Sequence, residues 1–415
     1  MSLHRPSAML VSLLAIAFVL ANATPAQAQL LGPVQSLPNL QVPGVGLPGV
    51  VPASPLRSVD DLLRGSLAIT RKLQIDTLLR SEPRRVDVDP HGAPILRGEF
   101  LAMGLSAAQR DAVQALGFAV DRETPADATL GLDFVVLHDT RGRSTAKAMH
   151  ALQQAAPDAA FTYQHIYLPA GSSDLARATT TANPSPTTSE QRVGLVDGGV
   201  DPADPALAHA RIEQHGCKTA SASRHGTAVA ARLVAGDADT LYAADLWCGD
   251  AVGGATSNLV DALAWMAREH VAVINISLVG PDNPVLARAV QAMIARGHVL
   301  VSAVGNDGPA APPLFPAAYP DVIGVSGVDA HERILPESGS GDQVDFCASG
   351  VVGNGRNALR GTSFAAPIVA RKAAQLLDAP REGAAAQVQQ RLIGEARHLG
   401  APGRDPRYGY GLLSP

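Results

Sequence analysis

Three polar residues stand where the chain passes from one element to the next. Asp197 directly follows the apolar run Val193-Gly194-Leu195-Val196. His225 opens a helical stretch in Arg224-His225-Gly226-Thr227, and Ser363 opens another in Gly361-Thr362-Ser363-Phe364-Ala365-Ala366-Pro367. Taken singly, each has an ordinary reading: a turn aspartate, a structural histidine, a serine N-cap. Taken together, a carboxylate, an imidazole and a hydroxyl in the order Asp…His…Ser form one of the known chain orders for nucleophilic acyl transfer. A serine hydroxyl is a poor nucleophile until a base removes its proton, so the three groups are useful only if the fold brings them together.

The elements that would do this are legible from residue 191 onward. Apolar strands are predicted at Arg192 to Val196, Leu241 to Leu246, Val271 to Ile276, Val299 to Val304 and Val322 to Val328. Helices are predicted at His225 to Val234, Asn258 to Arg268, Val285 to Ala295, Ser363 to Leu377 and Ala385 to Ala396. Strands alternating with helices imply an α/β fold with a mostly parallel sheet covered on both faces, and such sheets place functional groups at the carboxyl ends of their strands.

Five stretches in this region, in order, resemble the subtilisin-like serine proteases (subtilases). They are Val196-Asp197-Gly198-Gly199-Val200-Asp201, His225-Gly226-Thr227, Asn275-Ile276-Ser277-Leu278, Val304-Gly305-Asn306-Asp307-Gly308 and the segment around Ser363. Weaker matches are Tyr319 to Val325 and the C-terminal Gly409-Tyr410-Gly411-Leu412. The resemblance implies that Ser363 is the nucleophile of a serine endopeptidase, His225 its base, and Asp197 the carboxylate that orients the imidazole. It makes Asn306 a side-chain donor to the oxyanion beside the Ser363 backbone N–H. The other reading of Asn306 is a left-handed turn residue.

The resemblance also implies that substrate binds as an added extended strand. Ser277, Leu278, Val279, Ala303, Val304 and Gly305 are expected to line the primary pocket. Val279 stands where the family commonly has Gly, which would narrow the entrance unless the backbone shifts. Asp307 is expected on the rim, with a weak preference for a basic residue. The family usually has Ser or Thr after the catalytic Asp; Gly198 stands there, so the carboxylate must be held differently. No cofactor is needed for the chemistry. Structural calcium is known in many relatives, but Asp201, Asp237 and Asp239 lack the ligand spacing of a calcium loop.

Upstream, residues 59–170 read as a small α+β domain of order βαββαβ, the split-βαβ or ferredoxin-like arrangement. Its strands are predicted at Ile95 to Met103, Phe118 to Arg122, Leu132 to His138 and Phe161 to Tyr167; its helices at Ser106 to Leu116 and Ser144 to Ala155. In topology and position it resembles a subtilase pro-domain, which implies an intramolecular inhibitor and self-cleavage between Tyr167 and Ser189. The alternative is an accessory domain that stays attached. A Pro/Gly-rich linker precedes it at 29–58, and a Ser/Thr/Pro-rich linker separates it from the peptidase block 191–415 at 171–190.

His4 and Arg5, the apolar run Ala8 to Leu20 and Ala26-Gln27-Ala28 read as a secretory signal peptide ending at Ala28. The expectation is an exported, secreted or periplasmic protein with no transmembrane anchor in the mature chain. The 415 residues carry 33 Lys+Arg against 38 Asp+Glu, net charge −5, with no basic run longer than two, which argues against a nucleic-acid partner. With 46% hydrophobic residues, the chain can bury a sizeable core. Three cysteines without C-x-x-C spacing argue against a cysteine zinc site. Cys217 and Cys248 flank elements expected to be neighbours, so a bridge between them, with Cys347 free, stands beside the alternative of three buried thiols. Partners are therefore protein or peptide substrates and the chain's own pro-segment. A catalytically silent subtilase-like binding or secretion-associated protein is the competing reading.

Overall fold

Seven short apolar strands after residue 191 pair side by side, all parallel, and this sheet sets the positions of every group discussed below. The structure is a computed structural model; it describes residues 71–123, 129–170, 191–219, 221–234, 239–353 and 358–415. The leader and both linkers lie outside the described residues.

The N-terminal portion begins with helix α1 at 71–81. It continues through β1 (Val86–Val88), β2 (Pro94–Met103), α2 (Ala107–Ala115), β3 (Phe118–Glu123), β4 (Phe134–Asp139), α3 (Thr145–Ala155), β5 (Ala160–His165) and β6 (Leu168–Pro169). Strands β3, β4, β2 and β5 pair antiparallel in that spatial order, with β1 also on β2. Helix α2 starts in a capping box: Ser106 Oγ accepts from the Gln109 N–H while Gln109 reaches back to the Ser106 N–H. Phe100, Val113, Phe118, Leu137 and Leu152 fill the core between its sheet and helices.

The second portion runs β7 (Arg192–Asp197), β8 (Arg211–His215), α4 (Arg224–Leu233), β9 (Thr240–Asp245), α5 (Thr256–Arg268), β10 (Val273–Ile276), β11 (Leu278–Val279), α6 (Pro284–Ala295) and β12 (Val299–Ala303). It closes with β13 (Ile323–Val328), β14 (Phe346–Ser349), β15 (Val351–Val352), β16 (Leu359–Arg360), α7 (Ala366–Ala374) and α8 (Ala384–Glu395). The sheet order is β14-β13-β12-β10-β7-β9-β8. Strands β7, β10 and β12 are buried on both faces, which is why they read as unbroken apolar runs. One face packs on α4, α7 and α8. The other packs on α5 and α6, and Leu101, Met103, Phe134 and Val136 of the N-terminal sheet belong to that same core. One edge strand escapes the apolar pattern, β8 (Arg-Ile-Glu-Gln-His).

Cys217 and Cys248 form a disulfide with Cα atoms 5.4 Å apart, and Cys347 is free and buried. Among the described residues, no helix is long and apolar enough to cross a membrane.

Candidate active site

Asp197 ends β7 and His225 stands in the first turn of α4, so the parallel sheet brings a strand end and a helix start together. They meet closely because glycines line the contact. A Cβ at Gly226 would lie 2.3 Å from the Gly198 carbonyl oxygen. His225 Nδ1 is 2.9 Å from Asp197 Oδ1, and both side chains are buried. Asp197 Oδ1 also accepts from the Gly198 N–H at 2.6 Å. The departure at Gly198 has a steric counterpart: a Cβ there would meet Ser223 Oγ at 2.7 Å. Ser223, the N-cap of α4, occupies the space a side chain at 198 would need, and its hydroxyl accepts from the Gly226 N–H at 2.8 Å.

A second carboxylate lies alongside. Asp245 on β9 is in register with Asp197. Burial raises its carboxyl above the ordinary range, and the neighbouring Asp197 charge adds to this against backbone N–H donors from Cys248 and Trp247.

Ser363 lies in the 3₁₀ turn Thr362–Phe364 that leads into α7. Gly361 before it has φ 141°, a conformation that favours glycine. Ser363 Oγ donates to the Ser277 carbonyl at 3.3 Å, while His225 Nε2 has no hydrogen-bond partner among the described residues. The hydroxyl therefore has to turn toward the imidazole for the two to exchange a proton; such bonds are often unmade in a resting geometry.

The region around Ser363 is occupied by the chain itself. Strand β6 pairs antiparallel with β11, Leu278 opposite Pro169 and Val279 opposite Leu168. On the other flank the Tyr167 N–H donates to the Gly254 carbonyl at 2.7 Å, and Ile166 bridges Ala255. At the end of this strand the Ala170 N–H donates to the Ser277 carbonyl at 3.1 Å. The Ala170 carbonyl accepts from the Ser363 N–H at 3.3 Å and from Asn306 Nδ2. Asn306 is aimed by Thr362, whose N–H donates to Asn306 Oδ1 at 3.0 Å. A carbonyl held by two converging donors beside a serine hydroxyl and a carboxylate-paired imidazole is the arrangement acyl transfer requires.

The expected pocket residues separate into two groups. Ser277, Leu278 and Val279 hold the occupying strand, and Val279 is buried. Ala303 ends β12, Val304 packs with Ala317 and Val344, and Gly305 faces Leu314, whose Cδ1 is 2.7 Å from where a Cβ would sit. Asp307 is not an exposed rim acid: it is largely buried and ion-paired at 3.4 Å with Arg71 of α1. Burial raises its carboxyl, and Arg71 acts against that. Sequence reasoning did not find Gly254 or Gly280, and it placed Thr362 and Tyr319 in family-like stretches without a role. The only signal for the first was the pair Gly253-Gly254.

Two of the residues considered for calcium are among the described residues. Asp201 accepts from the Ala203 N–H within its own turn, Asp239 is buried, and Asp237 lies outside the described residues. The one donor cluster among the described residues, Cys217, Asp245 and Cys248, has both sulfurs tied in the disulfide.

The profile of the subtilase family matches residues 188–411, more than half of the 415-residue chain. The chain belongs to the subtilase family. Its class is that of a serine endopeptidase, a hydrolase. Among relatives of this subtilase, subtilisin from Bacillus pumilus is 30% identical over 253 residues, covering 55% of the chain and 90% of the relative. Subtilisin E from Bacillus subtilis is 30% identical over 253 residues, with 65% of its length covered. The fold resembles that of fervidolysin from Fervidobacterium pennivorans, with TM-score 0.61 and 18% identity, covering 79% of this chain and 61% of that one.

Proposed function

We propose that this chain is an exported serine endopeptidase made as a zymogen, and that its first substrate is its own Ala170–Gly171 bond. The observation that carries the proposal is the Ala170 carbonyl, shared between Asn306 Nδ2 and the Ser363 N–H. The strand 166–170 enters the cleft in the manner of a substrate, flanked by Gly254 on one side and by Ser277 to Val279 on the other.

The chemistry follows from the geometry. Ser363 Oγ turns from the Ser277 carbonyl and attacks the Ala170 carbonyl carbon, and its proton passes to His225 Nε2. Asp197 Oδ1 holds the Nδ1–H and stabilises the imidazolium. The carbonyl oxygen becomes an oxyanion between Asn306 and the Ser363 N–H. Collapse breaks the C–N bond, His225 returns the proton to the Gly171 amine, and water then releases Ala170 as a carboxylate. That carboxylate remains against the same donors, so the N-terminal portion persists as a product inhibitor. A leader ending at Ala28 and the Ser/Thr/Pro-rich segment at 171–190, a composition in which cleavage is easy, fit this order of events.

N-terminal sequencing of the purified protein beside its Ser363→Ala form tests the proposal. Wild type is expected to start at Gly171, or further on after trimming, and Ser363→Ala to retain residues 59–170. A fully active wild type beginning near Gln29 would make the N-terminal portion an accessory domain. Failure of a fluorophosphonate to label Ser363 would make the chain a silent binding protein.

A further inference from the structure

Tyr167 lies three residues before Ala170 and is fully buried although it belongs to the segment that would leave. Its ring lies flat against the backbone of Gly280: a Cβ there would be 2.5 Å from Cδ1 and 2.6 Å from Cε1. Gly254 is equally close on the backbone side, where a Cβ would lie 2.2 Å from the Tyr167 carbonyl oxygen. One glycine thus makes room for the aromatic ring and the other for the backbone that carries it.

The far end of this pocket is polar. The Tyr167 hydroxyl donates to the Pro281 carbonyl at 2.8 Å. The turn that carries this carbonyl is held by the Tyr319 hydroxyl. The Tyr319 hydroxyl is fixed in turn: it accepts from the Asn283 N–H at 3.0 Å and donates to Asp282 Oδ1 at 2.9 Å. Asn283 Oδ1 caps α6 by accepting from the Val285 and Leu286 N–H groups, so the Pro281–Asn283 turn is tied to a helix. The Phe315 ring packs on Tyr319 with centroids 4.5 Å apart. Pro281, Asp282 and Tyr319 all belong to the portion that remains after cleavage at Ala170, so the acceptor is in place before a new substrate arrives.

We propose that this enzyme reads a phenolic hydroxyl, and not merely an aromatic ring, on the fourth residue before the bond it cuts, with the Pro281 carbonyl as the reader and Tyr319 as the residue that fixes the turn carrying it. The proposal rests on the protease reading above and names its substrate class: extended segments of the form Tyr-x-x-Ala, of which Tyr167-Leu168-Pro169-Ala170 is the first. A phenylalanine in the pocket fills the same space but leaves the part-buried Pro281 carbonyl without this donor. Sites built to hydrogen-bond a substrate hydroxyl discriminate strongly against the analogue that lacks it. Asp282 supplies a negative charge behind the hydroxyl, so a phosphorylated tyrosine is excluded by charge as well as by size.

The test uses the processed enzyme and four chromogenic peptides, Xaa-Leu-Pro-Ala-p-nitroanilide with Xaa as tyrosine, phenylalanine, phosphotyrosine or alanine. Casein serves as an unselective substrate and a fluorophosphonate reports an active serine. The expected result is a kcat/KM for tyrosine at least tenfold above phenylalanine, with no measurable cleavage of the phosphotyrosine peptide. Tyr319→Phe, which releases the Pro281–Asn283 turn, is expected to lower the tyrosine-to-phenylalanine ratio while casein hydrolysis persists. Equal rates for tyrosine and phenylalanine, with casein hydrolysed, would overturn the hydroxyl reading and leave the protease reading standing. Absence of both casein hydrolysis and serine labelling would overturn the protease reading, and this inference with it.

Discussion

Replacing Gly280 by alanine perturbs one wall of the Tyr167 pocket and nothing in the Asp197–His225–Ser363 group. The backbone tolerates it: Gly280 is not among the positive-φ glycines, and its N–H and carbonyl pair with Phe315 at 2.9 and 3.0 Å, bonds an alanine can keep. The added methyl would lie 2.5 Å from Cδ1 of the ring, whereas carbon atoms in contact prefer about 3.5–4.0 Å. An overlap of about 1 Å or more must be relieved, and the ring cannot slide inward because its hydroxyl is already against the Pro281 carbonyl. The ring is therefore expelled. Burial of a large side chain is worth about 1.5–3 kcal/mol and the hydrogen bond about 0.5–1.5 kcal/mol more. The sum, about 2–4.5 kcal/mol, corresponds to a loss of roughly 30- to 1,600-fold in kcat/KM for a tyrosine peptide. An alanine at the same position of the peptide does not reach the new methyl, so its kcat/KM is expected to stay within about threefold of wild type, under 0.7 kcal/mol. Steady-state kinetics on the two p-nitroanilides measure this difference. A parallel fall in both would mean that the substitution disturbs the catalytic groups, and no fall in either would mean that substrates do not place a side chain against Gly280.

Asn306→Ala is expected to lower kcat by about 10²–10³ with little change in KM, a scale that comes from the corresponding donor of a subtilisin; self-processing at Ala170 should slow with it, followed by gel electrophoresis over time. Cys217→Ser with Cys248→Ser, in a Ser363→Ala background to prevent digestion, removes a cross-link between residues 31 apart in sequence; the chain-entropy model gives a loss of about 3–4 kcal/mol, measurable by urea unfolding. Asp345 is the pH-sensitive buried acid: burial raises its carboxyl from 3.8 to about 6, against donors from the Gly324 N–H, Arg404 and Gln389. Its native state keeps a proton that the unfolded chain has already released, so its contribution to stability falls as pH rises from about 4 to about 6. Asp345→Asn in the same Ser363→Ala background should flatten that part of the Tm-against-pH curve, and an unchanged slope would remove Asp345 as its source.

The parallel sheet was legible because β7, β10 and β12 are buried on both faces, so that no polar alternation interrupts them. Edge strand β8 was not: its Arg-Ile-Glu-Gln-His reads as solvated chain, and only its pairing with β9 makes it a strand. Helix α1 and strand β1 were missed for a related reason, since α1 is rich in charged residues and β1 is only three residues long. At the site, Asp197, His225, Asn306 and Ser363 carry their identity in short local motifs. Gly254 and Gly280 do not, because what makes them necessary is the approach of Tyr167 from far away in sequence. Asp307 was misjudged for the same reason: its environment is set by Arg71, a residue more than 200 positions upstream.

On the proposed reading, cutting the chain and freeing the enzyme are separate events. Hydrolysis at Ala170 breaks one covalent bond and no other contact of the N-terminal portion. Arg85 still forks onto Asp250 at 2.9 and 2.6 Å. Gln164 still serves the start of α5, where the N-cap is an alanine with no side-chain cap: it accepts from the Ser257 N–H and donates to Ser257 Oγ at 2.8 Å. Leu101, Met103, Phe134 and Val136 still share a core with α5 and α6. An exposed ion pair such as Arg85–Asp250 adds little, about 0–1 kcal/mol, but removing the apolar side chains exposes helix surface that the mature enzyme must then present to water. On that reading, the same contacts that serve the start of α5 hold the product strand in the cleft after the cut. Activity would then follow degradation of the N-terminal portion, and the rate of that step, not of the first cut, would set how quickly the enzyme becomes active.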